Sequence, residues 1–173
     1  VYKRQLFNIT SSTSTTGVLT FASAPDFENP ENANNQYSIT LTATDTAGNT
    51  VDYPVTVTVT DVDDTDPLIQ GSTGAAGASE STKTVSENQT SVHTFTADET
   101  VTWSLDGGAD ASKFSIDSST GALSFIDAPD FENPADANSG NDYVVIVKAT
   151  DGQDNSSTQT VTVTVSNIIE SGE

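Results

Sequence analysis

The heptapeptide Ala24-Pro25-Asp26-Phe27-Glu28-Asn29-Pro30 returns residue for residue as Ala128-Pro129-Asp130-Phe131-Glu132-Asn133-Pro134. A duplication of this kind in a chain of 173 residues confines the fold to two copies of one unit. In each copy the two prolines fix φ and withhold an N–H from any sheet ladder, so the heptapeptide is a loop. Its Asp and Glu stand two apart with Phe between them. In extended backbone this puts both carboxylates on one side and the ring on the other. Paired outward oxygens suit a calcium site, which takes hard oxygen ligands; a solvated acidic turn satisfies the same residues.

The repeat extends beyond the loop. Asp26 and Asp130 lie 104 positions apart, as do Gly17 and Gly121. Tyr37 and Tyr143, Asp45 and Asp151, and Val55 and Val161 are each separated by 106, and Phe7 and Phe114 by 107. The small differences fall in turns. Between these landmarks the chain alternates Thr, Ser and β-branched residues, with no helical periodicity. Tyr37 to Asp45 reads as a period-two strand with Tyr, Ile, Leu and Ala on one face. Asp45 to Asn49 closes a hairpin, and Tyr53 to Thr60 pairs back with Val55, Val57 and Val59 inward. Phe7 to Ile9 and Val18 to Phe21 precede them, joined by a turn at Ser14 to Gly17.

In the second copy Leu68-Ile69 opens a strand, Gly71 to Ser81 is a Gly-, Ala- and Ser-rich loop, and extended structure resumes at Thr84. Strands follow at Val92 to Ala97, Val101 to Leu105, Phe114 to Ile116, Ala122 to Ile126, Tyr143 to Asp151 and Thr158 to Val165. A helical turn is expected near Ala109 to Ser112. About seven strands over some 100 residues, each with one apolar and one hydroxyl-rich face, indicate a β-sandwich. The first copy has counterparts to only the last four of these strands. A half sandwich leaves an apolar face uncovered, so residues 6–66 are expected to be the C-terminal half of a repeat and residues 67–170 a nearly complete one. Residues 1–5, Val-Tyr-Lys-Arg-Gln, fit no part of the pattern. They resemble the translated end of a sequencing adapter and are set aside as non-native.

Charge narrows the function. The chain carries 25 Asp plus Glu against 5 Lys plus Arg, a formal net charge of −20. That balance repels nucleic-acid phosphates and anionic membranes, and no stretch has the apolar length of a membrane span. With no cysteine disulfide staples are excluded, and a metal staple is the natural substitute. The acids concentrate at recurring points: the Asp-Phe-Glu loops, the strand-end Asp of Ala-Thr-Asp (Asp45, Asp151), and the run Asp61, Asp63, Asp64 and Asp66 between the copies. As a solvated linker that run needs no ion. Its place between two repeats favours a cation shared across a junction, since calcium takes about six to eight oxygens and one loop cannot supply them. His93 stands alone without a second His or a Cys, which speaks for a structural role over zinc. Trp103 is expected between the sheets; exposed, it would be a carbohydrate-stacking platform. Paired carboxylates suffice for glycoside hydrolysis, but nothing lines a cleft, and no enzyme is expected.

These motifs together resemble the cadherin repeat family, specifically the cadherin-like repeats of large bacterial surface proteins. Val85-Ser86-Glu87-Asn88 matches the family's early Glu. Asp26-Phe27-Glu28 and Asp130-Phe131-Glu132 match its mid-repeat acidic pair, and Ala43-Thr44-Asp45 and Ala149-Thr150-Asp151 its strand-end Asp. Asp61 to Pro67 matches the junction motif Asp-x-Asn-Asp-Asn-x-Pro in spacing, with Pro six after the first Asp but Asp63 and Thr65 in place of asparagines. The family's Asp-x-Asp before the third strand is replaced by the shorter Asp98-Glu99. The resemblance implies an all-β, tandem Greek-key, immunoglobulin-like sandwich of cadherin type with the first repeat N-terminally truncated. It implies calcium at the junction, held by Asp26, Glu28, Asp61, Asp63, Asp64, Asp66, Asp98, Glu99 and Asp151, with a weaker site at Glu87, Asp130 and Glu132. It implies neighbouring repeats as partners, an extracellular or cell-surface location, and a stiffening role in adhesion, homophilic adhesion included. The other reading is a carbohydrate- or protein-binding module whose loops contact a surface glycan or protein.

Overall fold

The computed structural model describes residues 6–13 and 16–169. Residues 1–5, Ser14 and Thr15 of the expected first turn, and Glu170 lie outside them. The chain divides between Asp63 and Asp64 into two compact units.

The first unit is built from two hairpins. Strand β1 (Phe7–Thr13) pairs antiparallel with β2 (Thr16–Phe21), and β3 (Gln36–Thr44) pairs antiparallel with β4 (Thr50–Thr58). Phe7, Phe21 and Tyr37 hold the hairpins together. Phe7 and Phe21 lie 4.5 Å apart between ring centroids, and Tyr37 meets both edge-on at 5.9 and 5.6 Å. Edge-to-face packing suits the quadrupoles of the rings. Tyr37 is buried, whereas Ile39, Leu41, Val55 and Val57 are only half-buried.

The second unit contains the same four strands and covers them. In chain order it has β5 (Ile69–Gln70), β6 (Glu80–Ser86), β7 (Ser91–Thr94), β8 (Thr96–Ala97), β9 (Thr102–Leu105), a 3-10 turn at Ala111–Lys113, β10 (Phe114–Ile116), β11 (Ala122–Phe125), β12 (Asp142–Thr150) and β13 (Ser156–Ser166). One sheet runs β6-β13-β12-β9, and the other runs β10-β11-β7; β5 and β8 form a short ladder. The last strand therefore lies between β12, antiparallel, and β6, parallel. Alternation decides which face is inside. Tyr143, Val145, Val147 and Ala149 of β12 and Val161, Val163 and Val165 of β13 are all at most 1% exposed. They pack with Phe114, Leu123 and Phe125 of the other sheet, with Phe95, and with Trp103, which lies on β9 of their own sheet. Phe114, Phe125 and Tyr143 repeat the aromatic trio of the first unit, with Phe114 and Phe125 4.4 Å apart.

Two expectations are revised by the backbone. The stretch Val92 to Ala97 is two strands, because the chain leaves one sheet at Thr94 and joins β5 at Thr96. Strand β6 begins at Glu80, within the stretch read as a loop, since its pairing is with β13, some 80 positions away in sequence. The helical turn near Ala111 is present as a 3-10 turn.

Candidate metal centre

At one pole of the second unit, Glu87 directly follows strand β6 and the duplicated loop follows β11. Glu87 is 1% exposed. A buried carboxylate needs donors, and it has them: Oε1 accepts the Ile168 N–H at 2.8 Å and Oε2 the Phe131 N–H at 2.9 Å. These two bonds, the one from Ile168 foremost, hold its carboxyl below the usual carboxylate range against the opposing effect of burial.

The loop is set by local hydrogen bonds. Asp130 Oδ1 accepts the N–H groups of Glu132 and Asn133, both at 3.0 Å. Phe131 turns inward against the core, while Asp130 and Glu132 are exposed. This is the division of sides expected from the Asp-Phe-Glu spacing. Asn141, at φ 63°, donates from Nδ2 to the Phe131 carbonyl at 3.0 Å and so fixes the loop from beneath. Glu132 accepts a hydrogen bond from the Asn167 side chain. As a result, Glu87, Asp130 and Glu132 each bring a carboxylate oxygen within 4.8 Å of the others. Calcium–oxygen distances of about 2.3–2.6 Å place two ligands of one ion up to roughly 5 Å apart. Three hard, anionic donors at this separation fit calcium, with backbone, water or further side chains completing the shell.

The loop of the first unit is built the same way. Asp26 Oδ1 accepts the Asn29 N–H at 2.9 Å, and Asn35 (φ 55°) donates from Nδ2 to the Phe27 carbonyl at 2.8 Å. Asp26 and Glu28 are exposed. Of the acids between the copies, Asp61, Asp64 and Asp66 are exposed and Asp63 half-buried.

At the opposite pole of the second unit, Glu99 and Asp151 carry carboxylate oxygens within 4.8 Å of each other. Asp66 accepts the Ser156 N–H at 3.1 Å, and Asp98 the Leu68 N–H at 2.7 Å. Asp151 is committed to its own hairpin. Oδ1 accepts the Gln153 and Asn155 N–H groups at 2.9 and 2.8 Å, and Oδ2 the Asn155 side-chain amide at 2.8 Å. Burial pushes its carboxyl up, and these bonds outweigh that and leave it lowered. Asp45 caps the first unit's hairpin identically through Ala47 and Asn49.

Three further acids have specific structural work. Asp110 is 3% exposed and accepts the Ala137 and Val144 N–H groups at 2.7 and 2.8 Å. Asp136, 6% exposed, accepts those of Gly140 and Asn141 at 2.9 and 3.2 Å. Asp117 caps a tight turn through Ser119 and Thr120. His93 is half-buried with its ring edge-on to Phe95 at 4.9 Å, and burial, then the Lys83 charge, lowers its pKa. Trp103 is 5% exposed, so it is a core residue and offers no stacking platform.

The comparisons agree with this architecture. No family model matches the chain. The solved structure of mouse clustered PcdhgC3 EC1-3 superposes with a TM-score of 0.62 at 22% identity, over 96% of this chain and 54% of that one. The protocadherin gammaB7 EC3-6 cis-dimer structure gives 0.57 at 22% identity, over 95% of this chain and 40% of that one. The fold is the cadherin-type sandwich. The chain thus spans about half or less of these cadherin structures. In sequence, 40 residues are 55% identical to part of halomucin from Haloquadratum walsbyi, a match covering 23% of this chain and 0% of that protein. Among the described residues no helix is long and apolar enough to cross a membrane.

Proposed function

We propose that this chain is a calcium-stiffened segment of an extracellular, cell-surface stalk or adhesin of a bacterium, in which cation binding at the poles of cadherin-type repeats sets the rigidity of the array. The observation that supports it best is the convergence of Glu87, Asp130 and Glu132 at one pole of the second unit. On this reading calcium neutralises carboxylates that otherwise repel, and fixes the β6 end, the Asp-Phe-Glu loop and the segment after β13 to one another. The protein's own contribution is preorganisation: the Ile168 and Phe131 N–H groups tie all three elements together at Glu87, and Asn141 holds the loop, before an ion arrives.

We extend the same role to Asp26 and Glu28 of the first unit, to the linker acids Asp61, Asp63, Asp64 and Asp66, and to Asp98, Glu99 and Asp151 of the second. The first unit is, on this reading, the C-terminal half of a repeat. Its Asp26 loop duplicates the Asp130 loop bond for bond around the Asn side chain, which is the support for treating the two copies alike. Neighbouring repeats are the partners that such poles serve.

The test is calcium titration of the whole chain, followed by differential scanning calorimetry and small-angle scattering. Saturable binding of calcium with a rise in melting temperature and a stiffer scattering profile is the expected result. An unchanged melting temperature and profile at millimolar calcium would remove the mechanical reading.

A further inference from the structure

The two units carry the same last strand in different chemical dress, and the differences fall on the edge that the second unit closes. In the second unit β13 is flanked by β6 in parallel register, with Val161 opposite Ser81 and Val165 opposite Val85. The contact is polar where it begins. Ser157 Oγ donates to the Pro67 carbonyl at 2.5 Å. Gln159, fully buried, accepts from Ser81 Oγ at 2.8 Å and donates to the Ala78 carbonyl at 2.7 Å. The Thr160 N–H donates to the Ser79 carbonyl at 2.9 Å.

In the first unit the equivalent strand is β4, with Val55 in the place of Val161. Counting back along the same register, Val51 replaces Ser157, Tyr53 replaces Gln159 and Pro54 replaces Thr160. Among the described residues β4 pairs only with β3. Val51 and Tyr53 are 66% and 69% exposed. At the start of that edge the hydroxyl of Ser157 and the amide of Gln159 are thus replaced by Val and by a phenol ring, and the N–H that Thr160 gives to Ser79 is removed by proline; farther along, Ser166 and its counterpart Thr60 both carry a hydroxyl. Two large apolar side chains on an unpaired strand edge are an aggregation liability unless something covers them.

We propose that the open edge of β4 receives a parallel β-segment from the polypeptide preceding it in its own repeat, and that this segment presents apolar surface to Val51 and Tyr53 and no carbonyl to position 54. The occupant follows from the repeat: the same four strands in the second unit are closed by residues 67–105, which lie ahead of them in sequence. Its chemistry follows from the three replacements. A copy of the second unit's own closing segment would set Gly71 and Ser81, shaped around an amide, against a phenol ring; even a single Cβ at Gly71 would lie 2.1 Å from Gln159 Oε1. It would also leave the carbonyl equivalent to that of Ser79 without a donor. This proposal rests on reading the first unit as half of a repeat.

Two full-length chimeras test it, each with a copy of residues 67–105 inserted directly before Leu6. One keeps Val51, Tyr53 and Pro54; the other carries V51S, Y53Q and P54T. The readout is hydrogen exchange of β4 followed by mass spectrometry. At least tenfold greater protection of β4 in the substituted chimera than in the unsubstituted one is expected. The parent chain carrying V51S, Y53Q and P54T without the insertion should exchange as fast as the parent itself. Equal protection in both chimeras would overturn the chemical match while leaving the half-repeat reading intact. Protection in neither would overturn the half-repeat reading as well.

Discussion

The carboxylate of Glu87, at the end of strand β6, accepts the backbone N–H of Ile168 at 2.8 Å across 81 positions of sequence. That bond ties the start of the second sandwich to its last segment, and the other oxygen of the same carboxylate holds the Asp-Phe-Glu loop through Phe131. Glu87 is both a brace and the buried member of the acidic trio. E87Q keeps one acceptor and removes the charge; E87A removes both. Calcium affinity at this pole is expected to fall at least tenfold in either variant, measured by titration calorimetry. Amide exchange at Phe131 and Ile168 should accelerate in E87A more than in E87Q. Equal calcium affinity in E87Q and the parent would show that this pole is not where the ion sits.

Calcium should also stabilise the second unit by mass action. With an affinity in the range of extracellular modules, on the order of 10⁻⁴–10⁻³ M, about 10 mM calcium contributes about 1.4–2.7 kcal/mol. For a unit of this size that is a rise in Tm of roughly 5–20 °C. D130A and E132A should each reduce the rise; D130A should also lower the calcium-free Tm, because its Oδ1 holds the Glu132 and Asn133 N–H groups, whereas E132A gives up an exposed bond from Asn167 and should lower it less. A calcium-dependent rise that survives both substitutions would place the effect elsewhere.

Monovalent salt separates site binding from general screening. With a net charge of −20, self-repulsion opposes the compact state, and about 1 M NaCl shortens the screening length to roughly 3 Å. Calcium-free protein is therefore expected to melt higher as NaCl is raised. E87A should keep that response while losing the part of its calcium response that comes from this pole. Loss of both together would mean that one diffuse effect accounts for them.

The geometry of the acidic loops was legible because it is local: proline, Asp-x-Glu spacing and an inward Phe act within one heptapeptide. The aromatic trio and the start of β6 were not. Phe114, Phe125 and Tyr143 meet across loops, and Glu80 is placed by β13 rather than by its Ser- and Gly-rich neighbours. Asp110 reads as a turn residue in sequence because the N–H groups it serves, on Ala137 and Val144, lie 27 and 34 positions away.

Asp110 accordingly makes a strong stability prediction. D110A leaves two N–H groups without their acceptor in a partly buried setting, where each unsatisfied group costs about 1–3 kcal/mol. A loss of about 2–4 kcal/mol in urea unfolding of the second unit is expected, with calcium affinity at Glu87 unchanged. A loss confined to a few tenths of a kcal/mol would show that water replaces the carboxylate.

Asp117 reports on acid stability. The hydroxyl of Ser119, then the Thr120 and Ser119 N–H groups, lower its carboxyl from 3.8 to about 2. A folded-state pKa below the unfolded value means that the carboxylate stabilises the fold above pH 3.8 and that this stability is lost as pH falls towards about 2. D117N removes the titrating group and weakens the cap. The parent should therefore be the more stable protein near neutrality, with the difference between the two shrinking across that window. Paired urea unfolding curves at about pH 6, 4, 3 and 2 measure it, in magnesium- and calcium-free buffer so that no ion at the pole contributes. A difference that stays constant from pH 6 to 2 would mean that the turn around Asp117 is held by Ser119 and Thr120 without help from the charge.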